Sequence, residues 1–324
     1  MKVSKDMLNE DLRSFYWPMR IMTFLMKFKW FARLLDKLSV RGAKGKDVEG
    51  LECDEVHVPS SDGTTQIRAR IYKPKDADQK LPLFLYIHGG GYIIGCPEMT
   101  NDLYKRYIET RPCVIVAPDY RKSWTKPFPA GLDDCYDTLR WAIANADSLG
   151  IDPSKVIVGG HSAGGGLTAA VTLRARDQGD VNIAFQMPIY PMIDDTQPSD
   201  PAREVHVPVW DTDMNRIGWG AYLADLHARG AEIPAYAAPA RNTDYSDFPP
   251  TMTFVGTLEP FFQETRAYVE ALRAAGVDVA YKEYEGCFHA FEFFAAERPV
   301  GRDGMNFTFD AYAEFYDKYA VGSV

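Results

Sequence analysis

The chain has 324 residues, 46% hydrophobic and 25% charged, with a formal net charge of −9. That length allows a large buried core, and the acidic balance argues against nucleic acid or an anionic membrane as the main partner. No run of eighteen apolar residues and no apolar leader with a small-residue cleavage site occurs, so neither stable membrane insertion nor a secretory signal is expected.

In chain order, residues 1–48 come first and precede any strand signal. They hold Phe15-Tyr16-Trp17-Pro18, then a stretch to Leu38 rich in Met, Phe, Trp and Leu with bases at Arg20, Lys27, Lys29 and Arg33. Such a density of bulky apolar side chains exceeds what a solvated leader carries. Three readings fit it: part of a helical cap over a site, a plain cover for a sheet face, or a helix lying on a membrane surface. Strand signals follow at 56–58 and 67–72, with Ser61-Asp62-Gly63 as the hairpin turn between them. A third strand, 83–87, runs into His88-Gly89-Gly90-Gly91-Tyr92. Consecutive glycines let the main chain approach a ligand and present N–H groups to it, as a developing oxyanion requires. Gly90 and Gly91 are the candidate donors. His88, at the strand end, is expected to brace the loop. A phosphate loop is not indicated, because neither Lys-Ser/Thr nor G-x-G-x-x-G spacing is present.

Further strands are expected at 114–118, 156–158, 185–189, 252–255 and 279–284. Helical stretches near 100–110, 130–146, 163–177 and 260–275 separate them. This alternation predicts a mostly parallel sheet of eight strands with right-handed crossovers and helices on both faces. The fifth strand ends in Gly160-His161-Ser162-Ala163-Gly164, a G-x-S-x-G segment between a strand and a helix. A serine on so sharp a turn needs small neighbours, and the turn lifts its oxygen above the sheet edge. The Ala163 amide lies at the helix N-terminus, where anions are stabilised, and is the third candidate oxyanion donor.

A nucleophilic serine needs a base and an orienting carboxylate, which in this architecture follow it in the order acid, then histidine. The seventh strand leads to Glu259-Pro260 and the eighth to Phe288-His289-Ala290-Phe291. Of six histidines (57, 88, 161, 206, 227 and 289) only His289 has the right order and place. Asp244 and Asp247 precede the seventh strand and belong at the wrong end of the sheet. All these candidates follow strand C-terminal ends, where open α/β sheets place their sites.

These motifs resemble those of the bacterial hormone-sensitive lipase family of α/β-hydrolases over roughly residues 50 to 295. The matched segments are His88 to Tyr92, Ala117-Pro118-Asp119-Tyr120-Arg121, Phe128-Pro129-Ala130, Gly160 to Gly165, Tyr190-Pro191-Met192-Ile193-Asp194, Glu259-Pro260 and Phe288 to Phe291. The resemblance implies the α/β-hydrolase fold and serine esterase chemistry, with Ser162, Glu259 and His289 as the triad. Tyr92 and Tyr190, in two of the matched segments, are candidate substrate contacts. The resemblance also favours a two-part helical cap, from residues 1–48 and 196–247, over a core of 49–195 and 248–324. Four positions depart from the family pattern. His161 stands where Asp is common, Glu259 where Asp is usual, Gln263 where a second Asp is usual, and Lys122-Ser123-Trp124-Thr125 where Leu-Ala-Pro-Glu follows Asp-Tyr-Arg. Glutamate can still accept the imidazole N–H, so the mechanism is little affected, and the 122–125 change touches a loop near the pocket and bears on substrate preference rather than activity.

The expected reaction is hydrolysis of short- to medium-chain acyl esters through an acyl-enzyme, with no cofactor and no metal. Amide hydrolysis of an arylformamidase or deacetylase kind is one alternative. A non-catalytic ligand receptor on the same fold is another, although it would be expected to have lost part of the triad. Five cysteines, an odd number without C-x-x-C spacing, imply reduced thiols in the cytoplasm. The last strand would be a sheet edge, which invites a homodimer, while Lys282 and Glu283 on it are equally able to discourage pairing.

Overall fold

All eight apolar runs form strands of one sheet in the computed structural model, which describes residues 1–322. The strands are β1 (Leu51–Pro59), β2 (Gln66–Pro74), β3 (Leu81–Ile87), β4 (Val114–Pro118), β5 (Ile151–His161), β6 (Ile183–Ile189), β7 (Thr251–Gly256) and β8 (Val279–Tyr284). Their spatial order is β1-β2-β4-β3-β5-β6-β7-β8. Only β2 runs antiparallel to its neighbours, β1 and β4; every other pairing is parallel. The apolar runs of β3, β4 and the Val156–Val158 part of β5 follow from this position, since strand segments covered on both faces have no solvent side to make polar.

The helices are α1 (Tyr16–Met26), α2 (Lys29–Ala43), α3 (Asn101–Thr110), α4 (Ala130–Ala144), the short α5 (Ala146–Leu149), α6 (Ala163–Gln178), α7 (Thr212–Tyr222), α8 (Ala224–Ala228), α9 (Phe262–Ala274), α10 (Phe291–Phe294) and α11 (Pro299–Phe315). One sheet face packs under α4 and α6, through Leu132, Tyr136, Leu139, Leu167 and Val171. The other packs under α3 and α11, through Tyr104, Tyr107, Phe309, Tyr312 and Phe315. The sequence reading assigned no helix after residue 275, yet α11 closes this second core. Pro299 in its first turn and the Phe309, Tyr312, Tyr316 spacing are its signals in the chain.

Residues 1–48 divide into two unlike parts. Val3, Leu8, Leu12 and Tyr16 are buried and join the second core. The bulky side chains that follow do not all turn inward. In α1 and α2 only Tyr16, Thr23 and Ala32 are buried, while Trp17, Ile21, Phe24, Phe28, Trp30, Leu34 and Leu38 are exposed. Residues 1–48 are fastened to the 196–247 insert rather than to the sheet alone. Val3 N donates to His206 O at 3.1 Å and His206 N to Met1 O at 2.9 Å. Lys27 Nζ bonds the carboxylates of Asp211 and Asp213 at 2.8 and 2.7 Å. His206 also lies close to those two carboxylates, a grouping the sequence did not disclose; the Lys27 ammonium supplies its positive charge.

Candidate active site

The serine turn is built by close backbone approach. A Cβ on Gly160 or Gly164 would lie 2.2 or 2.1 Å from the Ile87 carbonyl oxygen, so β5 and the first turn of α6 seat against the end of β3 only with glycine at both places. Between them Ser162 holds φ 60° and ψ −122°, a conformation that side-chain-bearing residues adopt at a cost of about 1–3 kcal/mol. Its backbone supplies the restraint. Ser162 N donates to Ile189 O at 3.0 Å, and its carbonyl accepts from Gly166 N at 2.9 Å and Met192 N at 3.1 Å. The side chain is left free to point out of the turn.

His289, on the loop between β8 and α10, meets it there. His289 Nε2 lies 2.9 Å from Ser162 Oγ, and its Nδ1 lies 2.5 Å from Glu259 Oε2. Glu259, just past β7, is in turn fixed by Gly256 N, which donates to its Oε1 at 3.0 Å. The extra methylene of glutamate is absorbed in this way, and all three side chains are buried. The faces of the imidazole are held by Phe261 and Tyr190, both edge-on at ring-centroid distances of 5.0 and 4.8 Å. Asp244 and Asp247 are exposed at the far end of the sheet, before β7.

The glycine loop closes on itself where Ile93 N and Ile94 N both donate to Gly90 O at 3.0 Å. Gly90 and Gly91 have φ of 116° and 58°, and positive φ turns successive N–H groups toward one side. Among the described residues the N–H groups of Gly90, Gly91 and Ala163 donate to no protein acceptor. The Trp210 indole covers Gly91 so closely that a Cβ there would fall 2.1 Å from it. His88 braces this loop. Its Nε2 faces the Lys122 ammonium at 3.1 Å, so Nδ1 carries the proton and donates to Gly89 O at 2.7 Å. Burial, then the neighbouring Lys122 charge, pushes its pKa down to about 3, which keeps it neutral.

Further buttresses were not apparent from the sequence. Asp36 of α2 accepts from Gly95 N at 2.8 Å, which ties α2 to the glycine loop. Glu98, buried just beyond, accepts from Gly45 N at 2.7 Å and pairs with Arg68 of β2. The departure at 122–125 also lies here. Lys122 bonds His88, Asp119 and the Tyr120 carbonyl, and Trp124 receives Lys29 and Arg33 of α2 over its ring. His161, in the position before the serine, is buried with its Nδ1 against the Tyr86 hydroxyl. Burial, then the His289 charge, holds its pKa down near 3. Apart from the Lys122 bonds to Asp119 and Tyr120, these braces join residues far apart in sequence, so no local pattern reports them.

Tyr92 and Tyr190 need correction as substrate contacts. Both are wholly buried. The Tyr92 hydroxyl donates to Met192 O at 2.6 Å and its ring stacks on Tyr222. The Tyr190 hydroxyl donates to Glu292, and its ring supports His289. They stand behind the site and leave no polar group for a ligand. Glu292 itself is buried, and desolvation raises its pKa to about 8 despite the Tyr190 hydrogen bond. Cys287, beside the base, is a buried thiol whose pKa desolvation drives far above the ordinary range, so it supplies no thiolate.

The arrangement has an oxygen nucleophile bonded to a base, a carboxylate fixing that base, and three uncommitted N–H donors beside the nucleophile. Comparison with known proteins places the chain among esterases. The pattern of the α/β hydrolase fold family matches residues 84–293. Carboxylesterase NlhH of Mycobacterium tuberculosis is 34% identical over 247 residues, covering 75% of this chain and 76% of that protein. The arylesterase of Saccharolobus solfataricus is 27% identical, covering 70% and 73%. Among solved structures, a bacterial heroin esterase superposes with a TM-score of 0.83 at 28% identity, covering 97% of this chain and 99% of that one.

Proposed function

The chain belongs to the α/β-hydrolase family and is a carboxylic ester hydrolase, and from that premise we propose that it cleaves short- to medium-chain acyl esters with Ser162, His289 and Glu259 as its triad. The observation that carries the assignment is the unbroken hydrogen-bonded line from Ser162 Oγ through His289 to Glu259. As Ser162 Oγ bonds to the ester carbonyl carbon, its proton passes to His289 Nε2. Glu259 keeps the imidazole in the tautomer with hydrogen on Nδ1 and stabilises the imidazolium. Negative charge on the former carbonyl oxygen is received by Gly90, Gly91 and Ala163 N–H. The intermediate collapses as the alkoxide leaves with the His289 proton. Water, deprotonated by the same nitrogen, then attacks the acyl carbon and releases the carboxylic acid and Ser162.

Residues 1–48 and 196–247 are proposed to form one two-part cap over a core of 49–195 and 248–324. The Lys27 bonds to Asp211 and Asp213, the Asp36 bond to Gly95 and the seat of Trp210 on Gly91 support this reading. A cap so close to the oxyanion donors leaves limited room for an acyl chain, which is the ground for the chain-length limit. A homodimer through β8 is proposed on the ground that β8 pairs with β7 alone and ends the sheet. The free thiols, of which only Cys53 is not fully buried, support a reducing compartment such as the cytoplasm.

A panel of p-nitrophenyl esters from acetate to palmitate, with an aryl acetate and an anilide, tests the reading. Turnover should peak at short to medium chains and be absent on the anilide. A preference for palmitate would remove the cap-limited pocket, and faster cleavage of the anilide would make the protein an amidase.

A further inference from the structure

The two N-terminal helices leave an apolar surface uncovered. In α1 the exposed side chains Trp17, Ile21 and Phe24 recur at i, i+4 and i+7, so they form one stripe, and Phe28 continues it through the turn. In α2 Trp30, Leu34 and Leu38 recur at i, i+4 and i+8. Trp17 and Trp30 are 64% and 66% exposed, although indoles are among the side chains most favourably buried. An apolar patch of this extent on a folded surface marks a docking face.

A basic row runs beside it. Lys29, Arg33, Lys37 and Arg41 follow one another at i+4 spacing, the first three each one position from a member of the apolar stripe of α2 and Arg41 one turn beyond. Among the described residues none of the four is paired with a carboxylate; Lys29 and Arg33 rest over the Trp124 ring, 5.7 and 5.3 Å from its centroid. Residues 16–46 hold eight Lys or Arg against one acid, Asp36, in a chain whose net charge is −9. Positive charge is therefore concentrated where the apolar side chains emerge. A helix with tryptophan and leucine on one stripe and lysine and arginine on the next fits the boundary between acyl chains and anionic headgroups.

We infer that the α1–α2 hairpin docks the protein on the surface of an anionic lipid bilayer, with Trp17, Trp30, Leu34 and Leu38 in the interface and the Lys29 to Arg41 row against the headgroups. The attachment lies on the membrane rather than across it, since no helix of the described residues is long and apolar enough to span one. A second copy is the poorer occupant: a two-fold pairing on this face would set each basic row near its own copy. Because Asp36 fastens α2 to the glycine loop, docking would hold the site beside esters dissolved in the lipid. That consequence rests on the ester-hydrolase reading; the docking itself does not.

The test is sedimentation of the full chain with vesicles of phosphatidylcholine alone and of phosphatidylcholine with 30% phosphatidylglycerol. The exposed positions permit two variants that leave the core untouched, Trp30→Ser with Leu34→Ser, and Lys37→Glu with Arg41→Glu. Wild type should bind the anionic vesicles more tightly and lose most of that binding in half-molar salt. Each variant should bind roughly tenfold or more weakly, with hydrolysis of p-nitrophenyl acetate in solution unchanged. Equal binding to both vesicles, or undiminished binding by the variants, would overturn the proposal. So would a dimer seen by light scattering that the Trp30→Ser, Leu34→Ser variant dissolves, since the occupant would then be a second copy. If wild type and variants alike hydrolyse no ester, the enzymatic reading fails while the sedimentation result stands.

Discussion

Ser162 occupies a strained turn because its carbonyl and amide are both tied to neighbours, and the strain presents Oγ to His289 Nε2. Replacing that oxygen by hydrogen keeps the turn and removes the nucleophile. Ser162→Ala should retain a cooperative melt and lose roughly 10⁴-fold in kcat; a variant active at wild-type level would end the assignment. Glu259→Gln keeps shape but removes the charge and admits the wrong tautomer, so kcat should fall by roughly 10³-fold or more. Asp247→Asn, at the other end of β7, should leave it unchanged. Equal rates for the two would move the acid elsewhere.

Glu292 gives a pH dependence of stability. Its folded pKa, about 8, lies above its unfolded value near 4.3. Between those limits the folded chain holds a proton that the unfolded chain has released, so stability falls as pH rises through that window. The Glu259 carboxylate and the Tyr190 hydroxyl face it, with Tyr86, Tyr107, Tyr284 and Cys287 nearby. Glu292→Gln keeps an oxygen for the Tyr190 hydroxyl and cannot ionise. The melting temperatures of variant and wild type should coincide near pH 4.5 and separate in the variant's favour toward pH 8. A constant difference across that range would show that Glu292 is not the titrating group.

At the scale of elements, the existence and order of strands and crossover helices were legible because burial writes apolar runs that glycine and proline punctuate, whereas the ends of β1 and β5, which carry polar and exposed residues, extend well beyond the expected 56–58 and 156–158. The residues proposed as the triad stand out for the same reason, since each follows a strand end. What escaped was long-range. The Asp36 bond to Gly95, the Trp210 seat on Gly91 and the Lys27 bridge to Asp211 link segments whose local sequence carries no trace of the partner. Tyr92 and Tyr190 lie within matched segments yet are buried, each hydroxyl donating to a protein acceptor that no local pattern announces. The inward half of the N-terminal segment has energetic consequences. Deleting residues 1–40 removes Val3, Leu8, Leu12 and Tyr16 from the core, each contributing about 1.5–3 kcal/mol by burial. The truncated protein should melt lower, show reduced kcat/KM on soluble esters and accept longer chains. Unchanged kinetics would deny residues 1–48 a place in the acyl pocket.

At the scale of the molecule, one sheet gathers Ser162, His289, Glu259 and the proposed oxyanion donors at its C-terminal edge, where Trp210 of the insert and Asp36 of the N-terminal segment meet the glycine loop. The opposite limit of the sheet, β8, carries Lys282 paired with Asp303 and Tyr281 bonded to Glu283. Light scattering at micromolar concentration should give the mass of a dimer, and a monomer would withdraw the β8 pairing without touching the chemistry. The chemistry itself is tested most directly by treating the protein with an organophosphonate and following intact mass, modified peptide and activity together. One adduct per chain should form, on the peptide carrying Ser162, and ester hydrolysis should disappear in proportion to its yield. Activity that survives complete labelling of Ser162, or an adduct on another residue that accounts for its loss, would contradict the account.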